Sequence, residues 1–355
     1  MADTALILRS SGNDFSLWRD KLVEKSMLTP LHTFYFSVSD VMSGSVKDFK
    51  LGLDTECDVV LQDKVILTGI VEDLRVNRGM GTSSVQVSGR EIIAAAWESY
   101  YQESTYQWKD QSILNNIKNL LKGFSDISVS ADSDVTSDLS ATVPVFTASP
   151  LLPIGDQVLR LCGWAGVLPL SKGDGKLYLT RGTTKDFCTD SIEMGNNALE
   201  SEFFVSNRHR YSDTRTIGQG RGEDDRSLTS FTQARGEFRD SQVRDKYLTG
   251  FFDGDADAEL CRTVSRWRGR IAAGMSRAVT YRVAGWTESN DKPWEINKLV
   301  RVSDETMEIQ ETRLIVSVEY FLHKRSAPMT DITVVPKDTF SLSSSGVNVK
   351  MTGIN

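Results

Sequence analysis

The chain has 355 residues, of which 39% are hydrophobic and 25% charged, and 41 Lys and Arg against 48 Asp and Glu leave a formal net charge of −7. This composition excludes a disordered chain, a collagen-like repeat and a disulfide-dense miniprotein, and the length predicts two or three domains. The acidic surplus argues against a protein that coats nucleic acid, since phosphate binding requires a basic surplus.

No stretch approaches the roughly 18–20 consecutive apolar residues of a membrane span, and residues 1–4 do not resemble the basic start of a secretory signal. We therefore expect no membrane insertion. The cysteines form no CxxC pair, which favours free, mostly buried thiols in a reducing cytoplasm over a zinc site or a disulfide framework. They are Cys57, Cys162, Cys188 and Cys261.

The first hundred residues predict an antiparallel β region. Residues 33–38 alternate between apolar and polar side chains, with Phe34 on the apolar side, which is the period of a half-buried strand. Two apolar runs, 57–61 and 65–71, are separated by three polar residues and indicate a hairpin. With a further strand expected at 83–87, the region fits a barrel or a sandwich.

The next eighty residues predict a small α/β module. Asp110 can cap a helix that Gly123 would end, and a second amphipathic helix is expected over 153–165. The serine- and aspartate-rich stretch 124–143 carries four Asp and no basic residue, and it predicts one short strand in polar loop. A Gly-rich turn at 172–175 between apolar runs indicates a hairpin.

The last part predicts strands again, with one inserted helix. Asp255 can cap this helix, and Arg262, Arg266 and Arg270 recur every four residues along one of its faces. The tail 341–355 is rich in Ser and poorly patterned. The strands expected here are residues 203–205, 214–217, 279–286, 299–302 and 313–322.

Two short motifs suggest ligand binding only superficially. An EF-hand loop that starts at Asp253 requires Gly at its sixth position and Glu at its twelfth, where this chain has Ala258 and Val264. The glycines of 218–222 lack the spacing of a phosphate loop, and the acidic residues 223–225 follow them. We interpret the first motif as a helix start and the second as a mobile loop.

Catalytic patterns are weak as well. His32, His209 and His323 share no motif and are expected at the surface or at an interface, and no GxSxG nucleophile turn is present. Glu98, next to Trp97, comes nearest to the aromatic setting that raises the pKa of a catalytic acid. A pair of carboxylates that hydrolyses peptidoglycan therefore stays open as an alternative function.

Arginine usage is the unusual feature. Between Glu202 and Arg282 nearly every basic residue is Arg, mixed with many Asp and Glu. Arg favours bidentate contacts with carboxylates and is enriched in protein interfaces, whereas a DNA groove would carry the basic residues without the acidic ones. We therefore expect subunit contacts, with Arg262, Arg266 and Arg270 as interface candidates.

Several short signatures, in their order along the chain, resemble the baseplate hub proteins of contractile-tailed bacteriophages, most closely the Mu-type tail protein P family. Glu295 departs from the Pro that the family often has before Ile296-Asn297. The matching pieces are Val65–Asp73, Val87–Glu91, Val158–Gly163, Gly173-Asp174-Gly175, Gly285-Trp286, Trp294–Val300, Leu314–Tyr320 and Pro336–Phe340.

The resemblance implies a mainly β, α+β chain with two tail-tube-like antiparallel β-barrels, a small α/β module between them and an inserted helix. We expect no enzyme activity and no cofactor or metal. The expected divisions are a first barrel over residues 1–99, the module over 100–182, a second barrel over 183–342 with the insertion 218–276, and a tail over 343–355.

The resemblance further implies a homotrimer that joins the sixfold tail tube to the threefold central spike and contacts other baseplate proteins. The expected location is the virion tail baseplate, after assembly in the host cytoplasm. DNA would be a partner only in transit through a central channel, whose negative lining would limit sticking because like charges repel. The channel-lining candidates are Glu223, Asp224, Asp225, Asp253 and Asp255.

Overall fold

The computed structural model describes residues 6–16, 18–39, 51–79, 82–219, 233–255, 258–323 and 326–342. The helices within these ranges are α1 (Ile93–Glu98), α2 (Ile113–Leu120), α3 (Thr136–Leu139), α4 (Ile154–Ala165) and α5 (Ala258–Met275). The strands are β1 (Leu6–Ser10), β2 (Asn13–Phe15), β3 (Asp20–Ser26), β4 (Thr33–Ser39), β5 (Glu56–Leu61), β6 (Lys64–Gly79), β7 (Thr82–Glu91), β8 (Gln107–Ser112), β9 (Ser128–Ala131), β10 (Thr142–Thr147), β11 (Leu168–Leu170), β12 (Lys176–Thr180), β13 (Ile192–Glu193), β14 (Ala198–Phe203), β15 (Asp213–Gln219), β16 (Gln233–Arg239), β17 (Tyr247–Asp255), β18 (Val279–Ala284), β19 (Leu299–Asp304), β20 (Ile309–Leu322) and β21 (Met329–Pro336).

One large sheet unites the first and last parts of the chain. Its strand order is β14-β18-β21-β20-β3-β4-β7-β6-β5-β1-β2, with β19 on β20 and β13 on β19. The junction is the antiparallel pair β3–β20, in which Val23 lies opposite Tyr320. The mainly β prediction is confirmed. Closure into barrels is not, because the path through the described strands is open at both β14 and β2.

The sheet is held by close contacts on its buried face. Phe34 and Phe36 are buried as their alternation predicts, and Tyr281 and Tyr320 of the last part belong to the same hydrophobic cluster. At Gly89 of β7 the neighbouring strands approach so closely that a β-carbon would lie 2.0 Å from the carbonyl oxygen of Ile70 and 2.5 Å from the Phe34 ring. Only glycine fits at this position.

The middle module has its own hydrophobic core. The predicted helices are confirmed as α2 and α4, although Ser112, whose Oγ accepts from the Asn115 N–H at 3.1 Å, caps α2 in place of Asp110, which ends up inside β8. The hairpin is confirmed as β11–β12, and β9 joins it in parallel. Val264 of α5 contributes to this core, so the inserted helix packs against the module.

The inserted segment forms a three-stranded sheet in the order β16-β15-β17 on one side of α5. Glycines allow the sheet and α5 to pack closely. A β-carbon at Gly236 would lie 2.1 Å from the backbone nitrogen of Arg262, and one at Gly269 would lie 2.0 Å from the Phe238 ring. Asp255 is the last residue of β17, and residues 256–257 lie outside the described residues, so the expected cap role of Asp255 stays a prediction. The strand expected at 203–205 lies earlier, as β14.

None of the helices described is long and apolar enough to cross a membrane.

A pair of glycine substitutions tests the close packing around Gly89. We expect Gly89→Ala to lower the free energy of unfolding by roughly 2–3 kcal/mol, because the new methyl group overpacks against a carbonyl and an aromatic ring. Gly163→Ala is the control: it lies inside α4 with nothing within 4 Å of the new atom, so it should stabilise by about 0.5–1 kcal/mol. Urea unfolding measures both, and equal effects would contradict the packing argument.

Candidate functional site

Two of the three predicted interface arginines bind the chain's own C-terminal segment. The Arg270 Nη1 donates to the Ser341 carbonyl at 2.8 Å, and the Arg266 Nη1 reaches the Leu342 carbonyl at 3.4 Å. Arg270 is buried, and burial is the main cause that lowers its pKa. Arg262 is exposed and pairs with Glu259. Two members of the stripe thus fix residues 341–342 on α5, and the intersubunit contact stays a prediction.

The acidic channel candidates are only partly described. Asp253 and Asp255 lie on β17, an edge strand of the three-stranded β16-β15-β17 sheet. Glu223, Asp224 and Asp225 lie outside the described residues. Their role at a channel stays a prediction.

Glu98 has the opposite electrostatics to a catalytic acid. The Arg90 guanidinium donates to Glu72 at 2.7 and 2.9 Å and to both carboxylate oxygens of Glu98, one of them at 2.9 Å. These bonds lower the pKa of Glu98, whereas a general acid requires a raised one. Arg90 thereby fastens α1 to the β6–β7 pair, which gives the Val87–Glu91 signature of the sequence a structural role.

A buried polar cluster, which the sequence pattern did not reveal, joins the first β region to the module. The β11–β12 turn inserts against β3 and β7, where the Lys25 ammonium donates to the Lys172 carbonyl at 2.7 Å and to the Ile66 carbonyl at 3.1 Å. The Thr68 N–H donates to the Gly173 carbonyl at 2.7 Å. Gly173 has φ +91°, and a β-carbon there would lie 2.1 Å from the Ile66 carbonyl oxygen. The glycine of this turn is therefore required for docking.

His32 lies in the same cluster and is wholly buried, so the expectation of a surface or interface position is wrong for it, while His209 and His323 are exposed. The Nδ1 of His32 accepts a hydrogen bond from the Ser26 N–H at 3.4 Å. The Nε2 of His32 therefore carries the proton and donates to the Ser171 carbonyl at 3.0 Å. Burial and the Lys25 cation lower the pKa of His32 to about 3. The imidazole is therefore neutral.

Glu91 completes the cluster. The Ser171 hydroxyl and the Gly175 N–H, the latter at 3.3 Å, donate to its Oε1, while its Oε2 has no hydrogen-bond partner and lies 3.7 Å from the His32 Nε2. Burial raises the pKa of Glu91 to about 7. Ser, His and Glu thus meet, but the imidazole contacts the serine carbonyl instead of its hydroxyl, and all three are buried from substrate. This geometry joins the first β region to the module. We call the group of Lys25, His32, Glu91 and the β11–β12 turn the buried lock.

The cysteines are free, as predicted, and three of them are buried. Burial raises the pKa of Cys57 and of Cys188 to about 12, so these thiols are not activated. Among the residues described, no three His, Cys, Asp or Glu side chains are grouped so that they could hold a metal ion.

The large sheet has strand edges that lack a strand partner among the described residues. The outer edge of β14 has no strand partner in the described structure, and Leu199 and Phe204 beside it are 49% and 71% exposed. In the other half of the sheet, β6 pairs with β5 only as far as Ile70, so its residues 72–79 form an edge of the described sheet, with β7 and then β4 on their inner side. Unpaired edges with exposed apolar side chains favour pairing with another chain.

Comparisons with known proteins agree with the resemblance seen in the sequence. Residues 5–91 match the family model for the N-terminal domain of Mu phage baseplate assembly protein GpP-like proteins, and residues 258–343 match the model for the fourth domain of Mu phage baseplate assembly protein GpP. The chain is 24% identical over 349 residues to baseplate hub protein gp44 of Escherichia phage Mu, covering 94% of this chain and 88% of that protein.

Two solved structures share the fold. The 43 kDa tail protein of prophage MuSo2 from Shewanella oneidensis superposes with a TM-score of 0.80 at 22% identity, covering 94% of this chain and 99% of that one. The tail protein from Neisseria meningitidis MC58 gives a TM-score of 0.79 at 14% identity, covering 95% and 97%. At these identities the two similarities establish the fold.

Glu91 and His32 each make the stability of the fold depend on pH, with opposite signs. The pKa of Glu91 is about 7 in the fold and 4.5 without it, so between these values the folded chain binds the proton more tightly and stability falls as pH rises. His32, with a pKa of about 3 against 6.5, acts oppositely. We therefore expect Glu91→Gln to make the free energy of unfolding rise more steeply with pH between about 4.5 and 6.5 than in the native chain.

Urea unfolding at several pH values measures this slope. Glu98→Gln is the control, because the pKa of Glu98 is lowered and its removal should not steepen the rise. Parallel pH profiles of native chain and Glu91→Gln would contradict the assignment.

Proposed function

The chain belongs to the Mu-type family of phage baseplate hub proteins, and we propose that it is a structural hub at the tip of a contractile tail. Three copies would form a ring that joins the sixfold tail tube to the threefold central spike and contacts other baseplate proteins. The ring would assemble in the host cytoplasm, become part of the virion baseplate and leave a central channel for the genome.

The observation that carries this proposal is the open sheet to which both matched regions contribute. Residues 5–91 supply one half of the strands and residues 258–343 supply much of the other half, and the two meet at the β3–β20 pair. Each chain therefore offers two β units side by side. Three such chains can present six β units to a sixfold tube while keeping threefold symmetry toward a spike.

Contacts at the sheet ends would close the ring. The β14 edge and the β6 edge at residues 72–79 both carry backbone groups without a strand partner in the described structure, and such edges are satisfied when a neighbouring subunit covers them. Leu199 and Phe204 would then be buried between subunits. Each half would complete a barrel-like wall within the ring.

The charge suits a channel for DNA in transit. A net charge of −7 disfavours lasting phosphate contacts, so DNA could pass without being trapped. The alternative of a peptidoglycan hydrolase has less physical support, because Arg90 lowers the pKa of Glu98 and the Ser171–His32–Glu91 group is sealed from solvent.

Solution mass tests the ring. We expect the native chain to form a trimer at micromolar concentration, and we expect the double substitution Leu199→Ser and Phe204→Ser to weaken association by about tenfold or more without lowering thermal stability, because both side chains are exposed in the single chain. Leu151→Ser, 83% exposed on the middle module, is the matched control and should leave the trimer intact. Analytical ultracentrifugation measures all three.

A native chain that stays monomeric at high concentration and binds neither tube nor spike protein would overturn the hub proposal. Cell-wall hydrolysis by the purified chain that a single carboxylate substitution abolishes would overturn the non-enzymatic reading. Tight, salt-sensitive binding to duplex DNA would contradict the transit role.

A further inference from the structure

The small sheet on α5 has one face that nothing in the described structure covers. Its inner face packs on the helix, as Gly236 shows by its contact with the Arg262 backbone, and a β-carbon at Gly250 would point to the Arg268 guanidinium. Side chains alternate along strands, so the neighbours of Gly250, Thr249 and Phe251, point away from the helix. This outward surface is called the outer face below.

The strand register arranges the outer face as three rows across β16, β15 and β17. Paired residues lie side by side on the same face of a sheet. The exposed aromatic residues Tyr247 and Phe251 are 68% and 78% accessible. The rows are Arg239–Asp213–Tyr247, Glu237–Arg215–Thr249 and Arg235–Ile217–Phe251.

The charges on the outer face form a connected ladder. Arg215 pairs with Asp213 at 3.0 Å and with Glu237 at 3.3 Å, and Glu237 also accepts from Arg235 at 2.6 Å. Arg239 lies 3.6 Å from Glu237, with its side chain 76% exposed. Three guanidinium groups share two carboxylates, so the ladder has a surplus of one positive charge.

This surplus is notable in a chain whose net charge is −7. The outer face combines an aromatic stripe on β17 with outward-facing Arg235 and Arg239 on β16, and aromatic residues together with Arg are the side chains that contribute most to protein interfaces. Guanidinium groups recognise carboxylates in bidentate geometry. The complementary partner carries carboxylates beside apolar side chains.

The geometry points to the outer face as the docking surface for an acidic segment of another tail protein, distinct from this chain. This inference rests on the proposed hub function but concerns a different surface. The ring contacts proposed above lie at the ends of the large sheet, whereas the outer face belongs to the separate β16-β15-β17 sheet. The apolar stripe would supply most of the affinity, and the arginines would select the acidic partner.

Photocrosslinking in purified, assembled tails tests the docking surface. A photoreactive phenylalanine analogue at position 251 is expected to crosslink to an Asp- and Glu-rich segment of a different tail protein, which mass spectrometry identifies. The same analogue at Leu151, exposed on the module, should not give that crosslink. Crosslinks from position 251 to another hub copy or to packaged DNA, or no crosslink at all, would overturn the inference.

Charge reversal provides the second measurement. Arg235→Glu with Arg239→Glu should reduce the crosslink at least about tenfold, or stop tail assembly at this step, while leaving the trimer mass unchanged. Lys118→Glu with Lys122→Glu, both exposed, makes the same change in charge elsewhere and should preserve the crosslink. Loss of the trimer in the arginine variant, or an undiminished crosslink, would overturn the inference, whereas a native chain that never trimerises would instead count against the hub function.

Discussion

The backbone pairing of β3 with β20 is the contact on which the architecture depends. It brings Lys21–Ser26 beside Ser317–Leu322, nearly three hundred positions later in the chain, in antiparallel register. Without it the first and last thirds would be two small sheets, each with one more open edge. With it, both thirds share one hydrophobic cluster and one continuous hydrogen-bonded ladder. A chain built in this way holds its two β units at a fixed relative position, which the proposed hub role requires.

The buried lock extends the same rigidity to the module. Lys25, on β3, reaches the β11–β12 turn, so the strand at the sheet junction also holds the module. A buried ammonium and a buried carboxyl are costly unless each has hydrogen-bond partners. Here two backbone carbonyls accept from the Lys25 ammonium, and the Ser171 hydroxyl and the Gly175 N–H donate to one oxygen of the Glu91 carboxyl. The cost favours a single orientation of the turn, since a shifted turn would leave these groups without partners.

Local patterns predicted the elements well, because alternation and amphipathic spacing are properties of neighbouring residues. Thus β4 and α4 lie where Phe34 and the 153–165 run placed them. The β3–β20 junction was not predictable, since strand pairing at such separation leaves no local signal. The lock was hidden for the same reason: Lys25, His32 and Glu91 are unremarkable singly, and only the docked turn unites them. For the arginine stripe, the sequence correctly predicted that the three residues recur along one helix. It did not predict their contacts, because Arg266 and Arg270 bind residues 341–342, whose path depends on the tertiary structure.

The molecule thereby separates its rigid interior from surfaces with different chemistry. The ends of the large sheet offer backbone groups and apolar side chains, which suit identical neighbours that repeat around a ring. The outer face of the small sheet offers Arg beside aromatic residues, which suits a partner of opposite charge. The helix α5 packs against both the small sheet and the module core, so it connects the sheet that carries the outer face to the interior of the module.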